Sequence, residues 1–191
     1  NIVEGVNSIT EVPAERWDTN VYYDPEWEHT TAATRTGAAS KWGGFLSDIP
    51  FDALAYCIPP ASLAAIEPNQ LLSLKVSADA LADAGYADRP FDRDRAAVIF
   101  GADGGTDQTG ALGFRALFPA LAGELPPELD EWLPRTNEDS FPGLLTNVIS
   151  GRIANRLDLG GKNLTVDAAC ASSLAALDAA VQELAAGGSD M

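Results

Sequence analysis

The residue of this chain best placed to do chemistry is Cys170. It follows a short run of β-prone residues, 163–167, and precedes an alanine-rich segment, 171–186, that stops at Gly187 and Gly188. Glycines in this place are typical of a helix end, so the pattern predicts a strand, a turn at Cys170 and then a helix. The first N–H groups of a helix and its dipole favour a thiolate over a thiol. Because the thiolate is the nucleophilic form, this position suits a cysteine that carries an acyl group as a thioester.

The predicted helix 171–186 is apolar over most of its surface. Its large apolar residues recur at three- and four-residue steps: Leu174, Leu177, Val181 and Leu184. The polar residues of this segment occupy only a narrow stripe, which predicts a helix buried on most sides. Such burial would hold the start of the helix rigidly. A plain core helix has the same pattern, and a free cysteine is commonly a small apolar core residue. Position alone therefore leaves both interpretations of Cys170 open.

Two other features invite a functional interpretation. The glycine-rich stretch 101–105 follows a predicted strand, but it lacks the GxGxxG spacing and the following lysine of phosphate-binding loops. We therefore expect a turn that brings the backbone close to a ligand channel. His29 is the one histidine, and it follows Glu26 and Glu28. A solvated loop histidine is the favoured interpretation of this residue.

Composition excludes several classes of protein. The 191 residues fit one domain or a large piece of one. The net charge of −16 argues against a nucleic-acid or anionic-membrane partner. No segment approaches the roughly 20 apolar residues of a membrane span, and no basic-then-apolar opening marks export. With two cysteines and no metal-ligand spacing, we expect no metal site and a reduced thiol in the cytoplasm.

The remaining pattern predicts an α/β protein. Its clearest elements are a helix that begins at Glu67-Pro68 and ends at Gly85, a buried strand over 95–100 and a helix over 144–157. Weaker patterns predict short helical pieces over 51–57, 60–66 and 111–121, the end of a helix over 1–5, and extended chain over 17–48 with a short hairpin at Gly43-Gly44.

Cys170 lies in the segment Val166-Asp167-Ala168-Ala169-Cys170-Ala171-Ser172-Ser173-Leu174, which follows a predicted helix and turn over 147–161. These two segments resemble the active-site signature of β-ketoacyl synthase (ketosynthase) domains and the helix and turn that precede it there. Further matches are Ile9-Thr10-Glu11-Val12-Pro13, Arg16-Trp17, Tyr23-Asp24-Pro25, Gly43-Gly44-Phe45, Phe51-Asp52, Ile66-Glu67-Pro68 and Gln70-Leu71-Leu72. The segment 138–143 is similar to iterative synthases that make polyunsaturated fatty acids. The resemblance is thus to a ketosynthase of an iterative type I polyketide or polyunsaturated fatty acid synthase.

The resemblance implies a layered α-β-α-β-α thiolase-like fold and a homodimer. It implies that residues 1–191 are the N-terminal part of a ketosynthase domain, without its first strand and its C-terminal half. In the family, that half supplies two histidines and a lysine that assist decarboxylation. We therefore expect this chain alone to hold a nucleophile without completing a condensation.

The resemblance also implies a reaction and its participants. An acyl group passes from the phosphopantetheine of an acyl carrier protein to Cys170, and a malonyl-carrier thioester then condenses with it after losing CO₂. The Cys170 backbone N–H is expected to serve in the oxyanion hole. Ser140, Phe141 and Gly104 are expected to line the acyl pocket, although Phe141 also fits a plain core position. No cofactor bound to the chain itself is expected, and the other partners are further domains of a multidomain synthase.

Two alternatives belong to other classes. The chain could be a non-catalytic dimerisation scaffold in which the strand 163–167 pairs across a dimer axis. It could also be a cysteine acyltransferase or hydrolase, for which His29 is the available base. A basic patch of Arg152, Arg156 and Lys162 would suit an acidic carrier protein, although solvated surface charge is the favoured interpretation of these residues.

Overall fold

The computed structural model describes residues 2–29, 31, 37–104 and 106–191, and its chain forms two compact units, Asn1–Pro50 and Phe51–Met191. In the first unit, strand β1 (Ile9–Glu11) pairs antiparallel with strand β2 (Trp42–Gly44). A salt bridge of 2.7 Å between Lys41 Nζ and Glu11 Oε1 lies beside this pairing. A short helix, α1 (Thr19–Tyr22), lies between the two strands in sequence.

The first unit departs from the sequence prediction in two places. Gly43 and Gly44 belong to a strand whose partner lies more than thirty residues away, so the predicted local hairpin is wrong. Residues 2–5 form turns closed by a hydrogen bond from Gly5 N to Ile2 O rather than the end of a helix. Part of the predicted extended stretch 17–48, residues 30 and 32–36, lies outside the described residues.

The second unit contains most of the regular structure. Its helices are α2 (Pro68–Asp83), α3 (Asp107–Ala122), α4 (Pro127–Trp132), α5 (Ser140–Leu144), α6 (Asn147–Arg156) and α7 (Ser172–Ala185). Its strands are β3 (Val98–Gly101) and β4 (Asn163–Val166), and short 3₁₀ turns cover Leu54–Tyr56, Pro60–Ala65, Arg93–Arg95 and Ala169–Ala171. The predicted helices and strands are confirmed with shifted ends, whereas the sequence pattern did not predict α4 and α5.

The strands β3 and β4 pair in parallel, with Val98 opposite Asn163 and Gly101 opposite Val166. Parallel neighbours need a long crossover, and helices α3–α6 supply it. Val98 belongs to a core cluster with Leu74 of α2 and with apolar residues of α6. Because side chains alternate along a strand, Gly101 faces the opposite side, where α7 begins. Helices therefore cover both faces of the strand pair, which confirms the predicted α/β class.

Helix α7 is less buried than its sequence predicts. It packs on the strands through small residues, of which Ser172 and Ala176 are buried. Small side chains allow the helix to lie close to the strands, and the large apolar residues then point away. Leu174 is 73% exposed and Leu184 is 49% exposed in this chain. The prediction that α7 is buried on most sides is therefore wrong for the chain as described.

No helix of the described residues is long and apolar enough to cross a membrane.

Candidate active site

Cys170 lies in a tight turn between the end of β4 and the start of α7. The turn is a 3₁₀ segment, Ala169–Ala171, and the Cys170 thiol is free and exposed in this chain. Ala169 has a φ of +48°, a left-handed conformation that residues with a Cβ rarely adopt. Such a conformation costs on the order of 1 kcal/mol, so neighbouring contacts must hold it.

Side chains on both sides of the turn provide those contacts. Asp167 Oδ1 accepts a hydrogen bond from the Ala169 N–H at 3.0 Å. Ser172 Oγ accepts one from the Ala168 N–H at 2.9 Å and donates another to the Ala169 carbonyl at 2.7 Å. These bonds link the strand side of the turn to the helix side, and Cys170 projects from between them.

Gly101 allows the turn to lie against the neighbouring strand. A Cβ atom at Gly101 would lie 2.5 Å from the Ser172 carbonyl oxygen and 2.8 Å from the Ser173 nitrogen. The end of β3 and the start of α7 therefore approach at a distance that only glycine permits. At Gly101, the last residue of β3, the close neighbour is thus the backbone that follows Cys170. The predicted approach of the glycine-rich stretch to a ligand channel stays a prediction.

The chemistry available at this turn follows from its donors. No acceptor occupies the Cys170 N–H among the residues that the structure describes. A free N–H next to the sulfur is what an oxyanion hole requires, because it lies near the carbonyl oxygen of a thioester formed on that sulfur. The thiol also lies at the start of α7, a helix of 14 residues whose first N–H groups point toward the turn.

The three predicted pocket residues lie in different surroundings. Ser140 is buried, and its hydroxyl takes part in a turn, accepting from the Asn137 N–H at 2.9 Å. Phe141 is 74% exposed rather than a core residue. Gly104 lines a small cavity of about 10 Å³ whose walls include neither Cys170 nor the other two residues. The described structure does not bring these residues together, and acyl binding by them stays a prediction.

A buried polar network that sequence reasoning missed holds the segment that carries Phe141. The Gln70 amide Nε2 donates to the carbonyls of Pro142, Gly143 and Leu145 at 3.0, 2.8 and 3.1 Å. Its Oε1 accepts from Arg152 Nε at 2.9 Å. The signal in the sequence is a glutamine in the first turn of α2, on the face that also carries Leu74, although its partners were not predictable.

Two of the three basic residues Arg152, Arg156 and Lys162 bond to side chains within the chain. Burial, and then the like charge of Arg156, lower the pKa of Arg152 below its usual value. Arg152 is half-buried, and its side chain is bonded to Gln70. Lys162 contacts Glu183, and this hydrogen bond lowers the pKa of the Glu183 carboxyl. Arg152 and Lys162 thus already have partners within the chain.

His29 lies in the first unit and is exposed. It is part of a turn in which its backbone N–H donates to the Glu26 carbonyl at 2.8 Å. This agrees with the solvated loop histidine that the sequence predicts. Across residues 2–29, 31, 37–104 and 106–191, no cluster of histidine, cysteine and carboxylate side chains is arranged to hold a metal ion.

Solved structures of ketosynthase domains share this fold. The oxazolomycin ketosynthase domain OzmH KS7 of Streptomyces albus JA3453 superposes with a TM-score of 0.70 at 26% identity, over 97% of this chain and 28% of that one. The module 6 ketosynthase of the bacillaene synthase from Bacillus subtilis 168 gives a TM-score of 0.66 at 26% identity, over 98% and 26%. The fold is thus the thiolase-like α/β class, in its N-terminal part.

The sequence places the chain within that class. Residues 1–191 match the family described as beta-ketoacyl synthase, N-terminal domain, and the chain belongs to this family. It is 32% identical to one subunit of the polyunsaturated fatty acid synthase of Thraustochytrium sp., over 98% of this chain and 7% of that protein. It is 34% identical to one subunit of the phenolphthiocerol/phthiocerol polyketide synthase of Mycobacterium tuberculosis, over 98% and 8%. The chain thus spans less than a tenth of these two relatives.

Proposed function

We propose that this chain is the nucleophile-bearing part of a ketosynthase domain in a polyketide or polyunsaturated fatty acid synthase. The observation that carries the proposal is the exposed Cys170 on a hydrogen-bonded strand-to-helix turn, in a chain that matches the family along its whole length. The relatives are synthases for both product classes, which supports the choice of reaction but leaves the product open.

The proposed reaction has two steps. In the first, the Cys170 thiolate attacks the thioester carbonyl of an acyl chain on the phosphopantetheine of an acyl carrier protein. The bond between the carbonyl carbon and the carrier sulfur breaks, the carrier leaves as a thiolate that takes a proton from water, and the acyl group stays on Cys170 as a thioester. The Cys170 N–H stabilises the oxyanion that forms during this attack.

In the second step, a malonyl group on a carrier protein loses CO₂. The resulting carbanion attacks the acyl carbonyl on Cys170, the new carbon–carbon bond forms, and the Cys170 thiolate leaves. The histidines and lysine that assist decarboxylation belong, in this proposal, to the C-terminal half of the domain. The proposal includes a homodimer in the cytoplasm, neighbouring synthase domains as partners, and no cofactor held by this chain.

Replacement of each cysteine in the complete synthase tests the proposal. We expect Cys170→Ala to abolish acyl-chain elongation, because the thioester intermediate has no other site. Cys57→Ala, which removes the other exposed thiol, is the matched control and should leave elongation unchanged. Elongation at the original rate by the Cys170→Ala synthase would refute the proposal.

A second candidate function is assembly without catalysis. It is favoured by β4, which pairs with β3 along one edge and has no strand partner along the other within the described residues. An unpaired edge can pair with a second copy of the same strand. Cysteine labelling separates the two functions, because a scaffold predicts that iodoacetamide reacts with Cys170 and Cys57 equally slowly, and a nucleophile predicts preferential capture of Cys170.

A further inference from the structure

We propose that Ser172 is a positioning residue for the nucleophile, an inference that rests on the proposed function of Cys170. The Ser172 hydroxyl holds the turn in which Cys170 lies by bonding to backbone groups on its upstream side. Ser172 does not touch the sulfur in this proposal, and it acts by fixing where the sulfur and the Cys170 N–H point.

The direction of the hydrogen bonds distinguishes this role from ordinary helix capping. A capping serine accepts from the N–H groups of its own helix, two or three residues downstream. Ser172 is the first residue of α7, and its Oγ instead accepts from Ala168, four residues upstream, at 2.9 Å. Its O–H then donates to the Ala169 carbonyl at 2.7 Å. The Ser172 hydroxyl thus donates one hydrogen bond to the turn and accepts one from it, and it does not cap its own helix.

The bonded residues are the ones whose conformation needs support. Ala169 adopts the left-handed φ of +48°, and both it and Ala168 bond to Ser172. If the hydroxyl is removed, Ala169 can return to an ordinary conformation, and its carbonyl, which shares a peptide unit with the Cys170 N–H, reorients. The peptide unit that contains the Cys170 N–H would then lose its fixed orientation. The sulfur and the N–H of Cys170 would no longer be held in one arrangement.

The position of Ser172 limits what can replace its hydroxyl. The residue is buried, and its backbone lies against Gly101 of β3. Its partners Ala168 and Ala169 are exposed, so the bonds that Ser172 makes are shielded from water on the Ser172 side. The next residue, Ser173, has the same side chain but is exposed, so it provides a matched control one position away.

The test measures alkylation of both thiols in the same chain, with Cys57 as the internal reference. Iodoacetamide is added to the wild-type chain and to the Ser172→Ala and Ser173→Ala variants, and peptide mass spectrometry gives each rate. We expect Ser172→Ala to lower the ratio of the Cys170 rate to the Cys57 rate about tenfold, equivalent to about 1.4 kcal/mol. Ser173→Ala should change the ratio less than about twofold. General loosening of the fold would raise both rates, so the ratio reports on the turn.

A second measurement uses only the wild-type chain, so it tests the inference even if the Ser172→Ala variant does not fold. In the wild-type chain, the Ala168 amide should exchange its hydrogen slowly, because the buried Ser172 hydroxyl accepts from it. Exchange of that amide at the rate of an unprotected peptide would overturn the inference, as would equal rate ratios in the two serine variants. A wild-type Cys170 that reacts no faster than Cys57 would instead contradict the proposed function.

Discussion

At the scale of single residues, the turn at Cys170 depends on a few positions that have no reactive groups. Ala169 keeps its left-handed backbone because Asp167 and Ser172 bond to it. Gly101 contributes by having no side chain at all. The conformation of the Cys170 turn therefore depends on neighbours that fit by shape and hydrogen bonding, and their effects are measurable as stability.

We expect Gly101→Ala to lower the free energy of unfolding by about 1–3 kcal/mol. The added Cβ meets the Ser172 carbonyl, which is backbone and cannot swing away as a flexible side chain does. Gly110→Ala is the control, because nothing lies within 4 Å of its added Cβ and it lies inside α3. That variant should gain roughly 0.5–1 kcal/mol. Urea unfolding measures both, and equal stabilities would contradict the close approach.

Gln70 is a second residue whose role can be measured. We expect Gln70→Leu to destabilise the chain by about 2–4 kcal/mol, because it leaves buried carbonyls and the Arg152 guanidinium without their partner. Asn69→Leu, at the exposed neighbouring position, should change stability by less than about 0.5 kcal/mol. Denaturant titration gives both values, and a Gln70→Leu chain as stable as the Asn69→Leu chain would show that the network is not structurally important.

At the scale of elements, helices α3 and α4 are joined by one ion cluster. Arg115 Nη1 contacts Asp130 Oδ1 at 2.7 Å, and Arg135 Nη2 contacts Asp130 Oδ2 at 2.7 Å. The hydrogen bond from Arg115, more than the charge of Arg135, lowers the pKa of Asp130 below its ordinary value. A carboxyl whose pKa is lowered by folding stabilises the fold above its unfolded pKa, about 3.9, and loses that contribution as the pH falls through the folded value.

The pH dependence of the Asp130 contribution follows from that sign. We expect Asp130→Asn to be less stable than the wild type at pH 7, with the difference shrinking as the pH falls below about 4. Glu131→Gln, which removes one negative charge at the adjacent exposed position, controls for net charge. Urea unfolding at pH 7 and pH 3 measures the effect. A difference that stays constant between those pH values would contradict the role of the ion cluster.

The elements also show what the sequence was able to predict. Helices α2, α6 and α7 have long periodic patterns and clear ends, such as Gly187 with its φ of +68°. Local sequence determines such features, so their prediction succeeded. The β1–β2 pairing joins segments far apart in the chain, and α5 is only five residues long, SFPGL, with proline and glycine inside it. The bonds of Ser172 and Gln70 depend on tertiary contacts that no local pattern encodes.

At the scale of the whole molecule, apolar burial is uneven. Leu74 of α2 is fully buried, and it belongs to the cluster that includes Val98 of β3. Leu177 of α7 is 60% exposed, although the two leucines occupy similar places in their sequence patterns. Amphipathic periodicity shows which residues share a helix face, whereas the packing of the chain decides whether that face is covered.

The two leucines form a matched pair for a stability experiment. We expect Leu74→Ala to lower the free energy of unfolding by about 2–5 kcal/mol, because it opens a cavity in the core. Leu177→Ala should change it by less than about 1 kcal/mol, since much of that side chain is already in water. Denaturant unfolding of this 191-residue chain provides both values. Equal losses would show that α7 is buried in the same way as α2.

Mass spectrometry of the complete synthase shows whether Cys170 carries the acyl chain, as we propose. The synthase is supplied with an acyl-loaded carrier protein and stopped before malonyl thioester is added, and the masses of its peptides are then measured. We expect an acyl group on the peptide that contains Cys170 and none on the peptide that contains Cys57. Acyl transfer from the carrier with the Cys170 peptide unmodified would refute the proposed role of Cys170.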